Sequence, residues 1–207
     1  MIVGLLPGRA ARADSPKLAA SWQSRAGAPG LAAGSIAIAL RAYRRAQEQK
    51  LVRRERLTIV DYSLPSTEPR LWVLDPESGE VLFAERVAHG RGSGDLLATR
   101  FGNRPESHRS SLGVFRTAET YTGAHGYSLR LDGLEKGIND RAREREIVFH
   151  SADYATEAFG REHGYLGRSY GCLALAPAVS HALIDEIRGG SIVVALGNEQ
   201  RGEVGSR

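Results

Sequence analysis

The chain has 207 residues, room for one domain with a sizeable core, and its 42% hydrophobic and 25% charged residues are ordinary for a globular protein. A formal charge of +4 fits an anionic polymer as partner, but the arginines are scattered and no nucleic-acid-binding motif appears. One cysteine excludes an intrachain disulfide and any multi-cysteine zinc site, and no stretch approaches the ~18 apolar residues of a membrane span.

Twenty-four glycines against 7% aromatics predict many turns, and hence a β-rich fold. Residues 1–33, rich in Ala, Gly, Pro, Ser and Arg, read as a leader and flexible arm. Within them Met1 to Leu6 is apolar and Ala11-Arg12-Ala13 resembles a signal-peptide cleavage site, so the arm reads either as the remnant of an export signal or as a plain disordered terminus. A helix follows, capped by Ser35, with Ile36, Ala39, Leu40, Tyr43 and Ala46 at helical spacing and an Arg-rich opposite face. From Leu57 the period becomes two. Leu57 to Ser63, Leu71 to Asp75 and Glu80 to Val87 read as strands, the last two joined by the turn Pro76-Glu77-Ser78-Gly79.

Residues 90–113 read as a long loop, the kind that is usually functional or mobile. Leu112 to Thr117 reads as a strand, Thr120 to Tyr127 as a turn, Ser128 to Asp132 as a further strand, and Gly133 to Glu146 as an irregular polar crossing. Ile147-Val148-Phe149 is a strand that delivers His150; Asp153 to His163 is helical and Gly164 stops it. Beyond Cys172, Leu173-Ala174-Leu175 is a short apolar run. Pro177 opens a helix to Arg188, and Ile192 to Leu196 is a buried closing strand before a polar tail over residues 198–207. The core domain is thus a single unit over residues 34–197.

A histidine on a strand and a lone thiol entered through Gly167-Arg168-Ser169-Tyr170-Gly171 are the parts of a cysteine nucleophile with its base. The two lie 22 residues apart, enough to return the chain to the same end of a sheet. Ser151 supplies a carbonyl or hydroxyl to orient the imidazole, and Gly171 lets the backbone approach a substrate, where its amide and that of Cys172 form a candidate oxyanion hole. Composition by itself favours an inert buried cysteine, and six histidines make a chance pairing easy, so spacing leaves the matter open.

The segment from His150 through His163-Gly164 to Gly167-Arg168-Ser169-Tyr170-Gly171-Cys172-Leu173-Ala174-Leu175 resembles the catalytic core of the YkuD-type L,D-transpeptidases, closest to the murein L,D-transpeptidase catalytic domain-like branch. The resemblance also takes in Arg70-Leu71-Trp72-Val73, Val87-Ala88-His89-Gly90, Ser107-His108, His125-Gly126 and Ala152-Asp153-Tyr154, over roughly residues 35–197. It implies a β-rich α+β fold, a YkuD-like mixed β-sandwich with one or two packed helices in a single domain.

It also implies an exported, periplasmic or wall-associated enzyme whose partners are peptidoglycan stem peptides, with no cofactor and no metal. Cys172 would form a thioacyl-enzyme from a stem tetrapeptide with loss of D-alanine, and a stem amine would resolve it; carbapenem sensitivity goes with that chemistry. An L,D-carboxypeptidase hydrolysing the same bond and a catalytically silent peptidoglycan-binding module are the alternatives. The catalytic set is Cys172, His150, Gly171 and Ser169; Arg168, Tyr170, His163, Ser151 and His108 are substrate-binding candidates. Tyr170 stands where the broad family has histidine and Ala174 where it has Asn or Arg, which makes His163 a candidate substitute imidazole. His89, His108 and His125 match motifs of the branch as cleft residues, without metal-site spacing.

Overall fold

A computed structural model describes residues 30–198. The possible export signal falls outside the described residues, as does all but the first residue of the polar tail. Helix α1 (Ala33–Glu48) is followed by strands β1 (Leu57–Asp61), β2 (Leu71–Leu74), β3 (Val81–Glu85), β4 (Gly113–Gly123), β5 (Gly126–Gly133) and β6 (Val148–Ser151). A 3-10 turn (Asp153–Ala155) leads to α2 (Glu157–His163), β7 (Leu173–Leu175), α3 (Pro177–Ile187) and β8 (Ile192–Leu196). The strands form one mixed sheet in the order β3-β2-β1-β8-β4-β5-β6-β7, in which β1 pairs with β8 and β6 with β7 in parallel.

Alternation along the strands sorts the core into two layers. Val60 of β1, Val73 of β2 and Val193 of β8 join Phe115, Leu131, Phe149 and Leu175 from the other half of the sheet in one apolar cluster. Side chains from both ends of one sheet meet there, so the two layers of the expected sandwich are two halves of a single curved sheet. Helix α3 fills the same cluster with Leu183, Ile184 and Ile187. The alternate residues Leu57, Ile59, Trp72, Leu74, Ile192 and Val194 face the other way and pack against Ile36, Ala39, Leu40 and Tyr43 of α1. Strands β1, β2 and β8 are therefore buried on both faces: β2 and β8 are apolar throughout, whereas β1, read as alternating, also buries Thr58 and Asp61.

The helical face of α1 is the one its spacing predicts, but Ser35 does not cap it. The N-cap is Ala32, without a side-chain bond, and Ser35 lies inside the first turn, donating to Asp61 Oδ2 at 2.8 Å. The β2–β3 hairpin forms as expected, with the Asp75 carboxylate accepting the Glu77 and Ser78 amides across its turn. Strand β4 is longer than expected. Thr120-Tyr121-Thr122 continues the strand rather than turning, and a register shift between Thr117 and Thr120 bends the β4–β5 ribbon. This bend matters for the site, because the tip of the ribbon carries His125.

After β3 the chain crosses to the far edge of the sheet, where the Ala88 amide donates to the Ala174 carbonyl of β7 at 2.9 Å and Gly90 bridges Ser169. The edge strand that follows Cys172 is thereby covered.

Candidate active site

Strands β6 and β7 run parallel, pairing Phe149 with Leu173 and His150 with Ala174. Phe149 and Leu173 point into the apolar core. By alternation, Val148, His150 and Cys172 project from the opposite face, and all three line a cleft of about 640 Å³. His150 and Cys172, the candidate base and nucleophile, are therefore delivered to one face by the β6–β7 pair.

His150 is 2% exposed. Its Nδ1 lies 2.9 Å from the Ser151 carbonyl, which only accepts, so Nδ1 carries the proton and Nε2 keeps its lone pair. The expected orienting role of Ser151 falls to its carbonyl. His125, at the ribbon tip, stacks on His150 with ring centroids 4.6 Å apart. Burial lowers the His150 pKa, the Ser151 bond opposes this, and His125 adds to the lowering. Neutral imidazole is thus the favoured form.

Cys172 is only partly exposed, and its thiol donates to the Glu146 carbonyl at 3.4 Å, not to the imidazole. Burial raises the thiol pKa; the Val148 amide and the Arg145 guanidinium pull it down, and the Glu146 carboxylate pushes it up. The resting pair is a neutral thiol and a neutral imidazole.

The turn before Cys172 is tightly tied. Ser169 Oγ donates to the Cys172 carbonyl at 2.7 Å and accepts from the Gly171 amide at 3.1 Å. An oxyanion at Gly171 would therefore compete with the Ser169 hydroxyl for that amide. Gly171 has φ +123°, and a Cβ there would sit 2.8 Å from Ile147 Cδ1 and 2.9 Å from the Arg109 carbonyl. Neither the conformation nor the space admits a side chain. Segment 88–92 forms the cradle. The His89 carbonyl accepts from the Ser169 amide at 3.0 Å, and the Arg91 amide donates to the Ser169 carbonyl at 2.8 Å.

Beneath this cradle lies a polar core that the sequence reading did not isolate. Arg70 is fully buried and donates to the Val87 carbonyl (3.0 Å from Nε and 2.7 Å from Nη2) and to the Leu64 carbonyl (3.0 Å). Its Nη2 also lies 2.7 Å from His89 Nδ1, while His89 Nε2 donates to the Gly94 carbonyl at 3.2 Å. Burial, helped by Arg70, pushes His89 down to about 4. Ser110 links the layers, accepting from the Gly90 amide at 3.0 Å and reaching the Gly171 carbonyl at 3.4 Å.

The remaining sequence candidates separate. Tyr170 is 63% exposed, stacks on His108 at 4.4 Å, and lies under the Arg91 guanidinium at 4.4 Å, so His108 and Tyr170 form one wall of the cleft. Arg168 lines the cleft and pairs with the exposed Asp95. Such an exposed pair contributes at most about 1 kcal/mol and yields readily to another carboxylate. His163 is not brought into the site: it is exposed at the end of α2, with Nδ1 against the Phe159 carbonyl and its ring stacked on Phe159. His89, His108 and His125 are held apart by different partners, Arg70, Tyr170 and His150 respectively.

Among the described residues, four other than glycine have positive φ, and three of these, Glu106, His108 and Glu146, line the cleft. Backbone strain concentrated around one cavity is a mark of a functional site.

The model of the L,D-transpeptidase catalytic domain family matches residues 28–196. The chain belongs to that family. No curated protein matches the L,D-transpeptidase domain described here closely enough to compare. Among solved structures, an L,D-transpeptidase from Mycobacterium smegmatis is 15% identical, with a TM-score of 0.43, over 69% of this chain and 58% of that one. An L,D-transpeptidase in complex with imipenem is 15% identical, with a TM-score of 0.42, over 69% of this chain and 59% of that one. One from Stackebrandtia nassauensis is 18% identical, with a TM-score of 0.41, over 86% of this chain and 75% of that one. This L,D-transpeptidase domain thus spans well under two thirds of the length of the first two.

Proposed function

We propose that the protein is a peptidoglycan L,D-transpeptidase with Cys172 as nucleophile and His150 as general base. The observation that carries this reading is the placement of His150 and Cys172 on one face of the β6–β7 pair, in the cleft of a chain that belongs to this family. The Sγ of Cys172 attacks the carbonyl that joins the L-centre of the third-position diamino acid to the terminal D-alanine. His150 Nε2 takes the thiol proton and passes it to the departing D-alanine amine as the C–N bond breaks. The resulting thioester is opened by the amine of a second stem. His150 accepts that amine's proton and returns it to the sulfur as the new amide forms.

The proton route requires a neutral imidazole with a free Nε2, which the Ser151 contact and the burial of His150 support. The Cys172 amide and the shared Gly171 amide serve the oxyanion, Ser169 holds their turn, and the Tyr170–His108 wall and Arg168 contact the stem peptide. A wall substrate places the protein outside the cytoplasm, in the periplasm or at the wall. No helix among the described residues is long and apolar enough to cross a membrane.

Incubating the protein with a disaccharide-tetrapeptide and analysing the products by mass spectrometry tests the assignment. A dimer crosslinked between third-position residues, with one D-alanine released per bond, is the expected result. Disaccharide-tripeptide alone would make the protein an L,D-carboxypeptidase, and no turnover with retained binding to sacculi would make it a silent module.

A further inference from the structure

The crossing between β5 and β6 carries an Arg-Glu run, and its members behave differently. Arg141 pairs with Glu144, and Arg143 with Glu119 and Asp132, in exposed ion pairs. Arg145 turns inward. Its Nη1 donates to the Gly102 carbonyl at 2.8 Å and to Ser111 Oγ at 2.6 Å; its Nη2 donates to the Arg109 carbonyl at 2.5 Å and to Ser107 Oγ at 3.5 Å. All four acceptors are neutral. No carboxylate pairs with Arg145 among the described residues, and its Nε has no hydrogen-bond partner there. A half-buried guanidinium locked by four neutral acceptors is a fixed positive charge without a counter-ion, an arrangement that is costly unless it serves a charged ligand or reacting group.

Its position names that group. Arg145 lines the cleft together with Cys172, and its Nη2 lies 3.2 Å from where a Cβ on Gly171 would stand. The thiol in turn contacts the carbonyl of Glu146, the next residue along. We propose that Arg145 is a positioning residue for the nucleophile, the built-in cation that stabilises the Cys172 thiolate once His150 has removed its proton. This rests on the reading of Cys172 as the nucleophile. The two groups act on each other's ionisation: Arg145 pulls the thiol pKa down against the effect of burial, and Cys172 raises that of Arg145 against the same effect. Of the other charged or titratable groups lining the cleft, Arg168 is paired with Asp95, Glu106 and Glu144 are carboxylates of the opposite sign, and His108 and His125 are stacked on Tyr170 and His150. The Glu146 carboxylate opposes the Arg145 charge at the thiol, the phenols of Tyr62 and Tyr154 are held neutral by burial, and His150 is held neutral as the base. Arg145 thereby supplies a cation at a site where Tyr170 offers no imidazole.

The test is the pH dependence of Cys172 alkylation by iodoacetamide in the full chain, for the native protein, Arg145→Met, Arg145→Lys and Ser111→Ala. The apparent thiol pKa is expected to rise by about one unit or more in Arg145→Met, as befits loss of an opposite charge at close range. It should return most of the way in Arg145→Lys and stay near native in Ser111→Ala, which removes one tether but no charge. If Arg145→Met does not fold, Arg145→Gln keeps amide donors without the charge and is read in the same way. An unchanged thiol pKa in the folded neutral variant overturns the proposal, as does a Ser111→Ala shift as large as that of Arg145→Met, which would make the role structural. Imipenem acylation of the native protein is scored separately. Without acylation the nucleophile reading fails, whereas acylation with no pKa shift in the neutral variant sinks the Arg145 role alone.

Discussion

Replacing His150 by alanine is expected to slow acylation of Cys172 by about 10²–10⁴-fold at neutral pH, the usual contribution of a positioned general base. Little of this should come from unfolding. The ring faces the cleft and stacks on the exposed His125 rather than joining an apolar cluster. The pH profile carries the sharper signature. Burial and His125 lower the His150 pKa, so the acid limb of kcat/KM in the native protein should lie below the ordinary histidine range. Burial raises the thiol, so without the base the rate should depend on the thiol's own ionisation and recover steeply as the pH becomes alkaline. Acylation rates by imipenem, followed by intact mass across pH 5–10, check both limbs, this range being about that over which the two groups titrate. A variant within about threefold of native at neutral pH, against the expected loss, would remove His150 from the mechanism.

Arg70→Met is expected to cost about 3–5 kcal/mol of folding stability. The substitution leaves the Val87 and Leu64 carbonyls and His89 Nδ1 buried without their donor, and each such orphan costs about 1–3 kcal/mol. Since His89 and Gly90 form the cradle of the cysteine turn, acylation should fall as well, a coupling that urea unfolding and imipenem kinetics on the same sample would reveal. The same core predicts acid sensitivity. His89 is depressed to about 4 in the folded chain, so as pH falls below the ordinary histidine value the unfolded state takes up the proton first. The stabilisation is complete above that value and is lost as pH falls towards 4, by an amount on the order of 3 kcal/mol. In His89→Gln that part of the pH dependence should disappear.

These two cores differ in how far the sequence announces them. The α1 face is written as a hydrophobic period, and burial on both faces follows from the apolar runs of β2 and β8, whereas the alternation of β1 hides the burial of Thr58 and Asp61. The Cys172 turn is announced by its glycines, and Gly171 does adopt a backbone that a side chain would not permit. Other features were hidden because the pattern alone had two readings. Thr120-Tyr121-Thr122 with Gly123 looks like a turn, yet β-branched and aromatic residues also suit an exposed ribbon, and the bend at Thr117–Thr120 aims that ribbon at His150. Ser35 sits where a cap would, but its hydroxyl finds Asp61, a partner far along the chain. His163 lies close to Cys172 along the chain, but it ends α2 exposed, with its ring stacked on Phe159 and outside the cleft lining. Arg145 is masked by Arg141 and Arg143, whose surface ion pairs are what a charge run normally signifies. Only the tertiary position of Ser111, Gly102 and Arg109 distinguishes it.

The central claim is that Cys172 is the acylated residue, and covalent trapping addresses it most directly. The protein is incubated with imipenem, its intact mass is measured, and the modified peptide is mapped, in parallel with Cys172→Ala. One adduct per chain located on Cys172, absent from the alanine variant, is the predicted result. A native protein that remains unmodified, or an adduct that persists in Cys172→Ala, would contradict it.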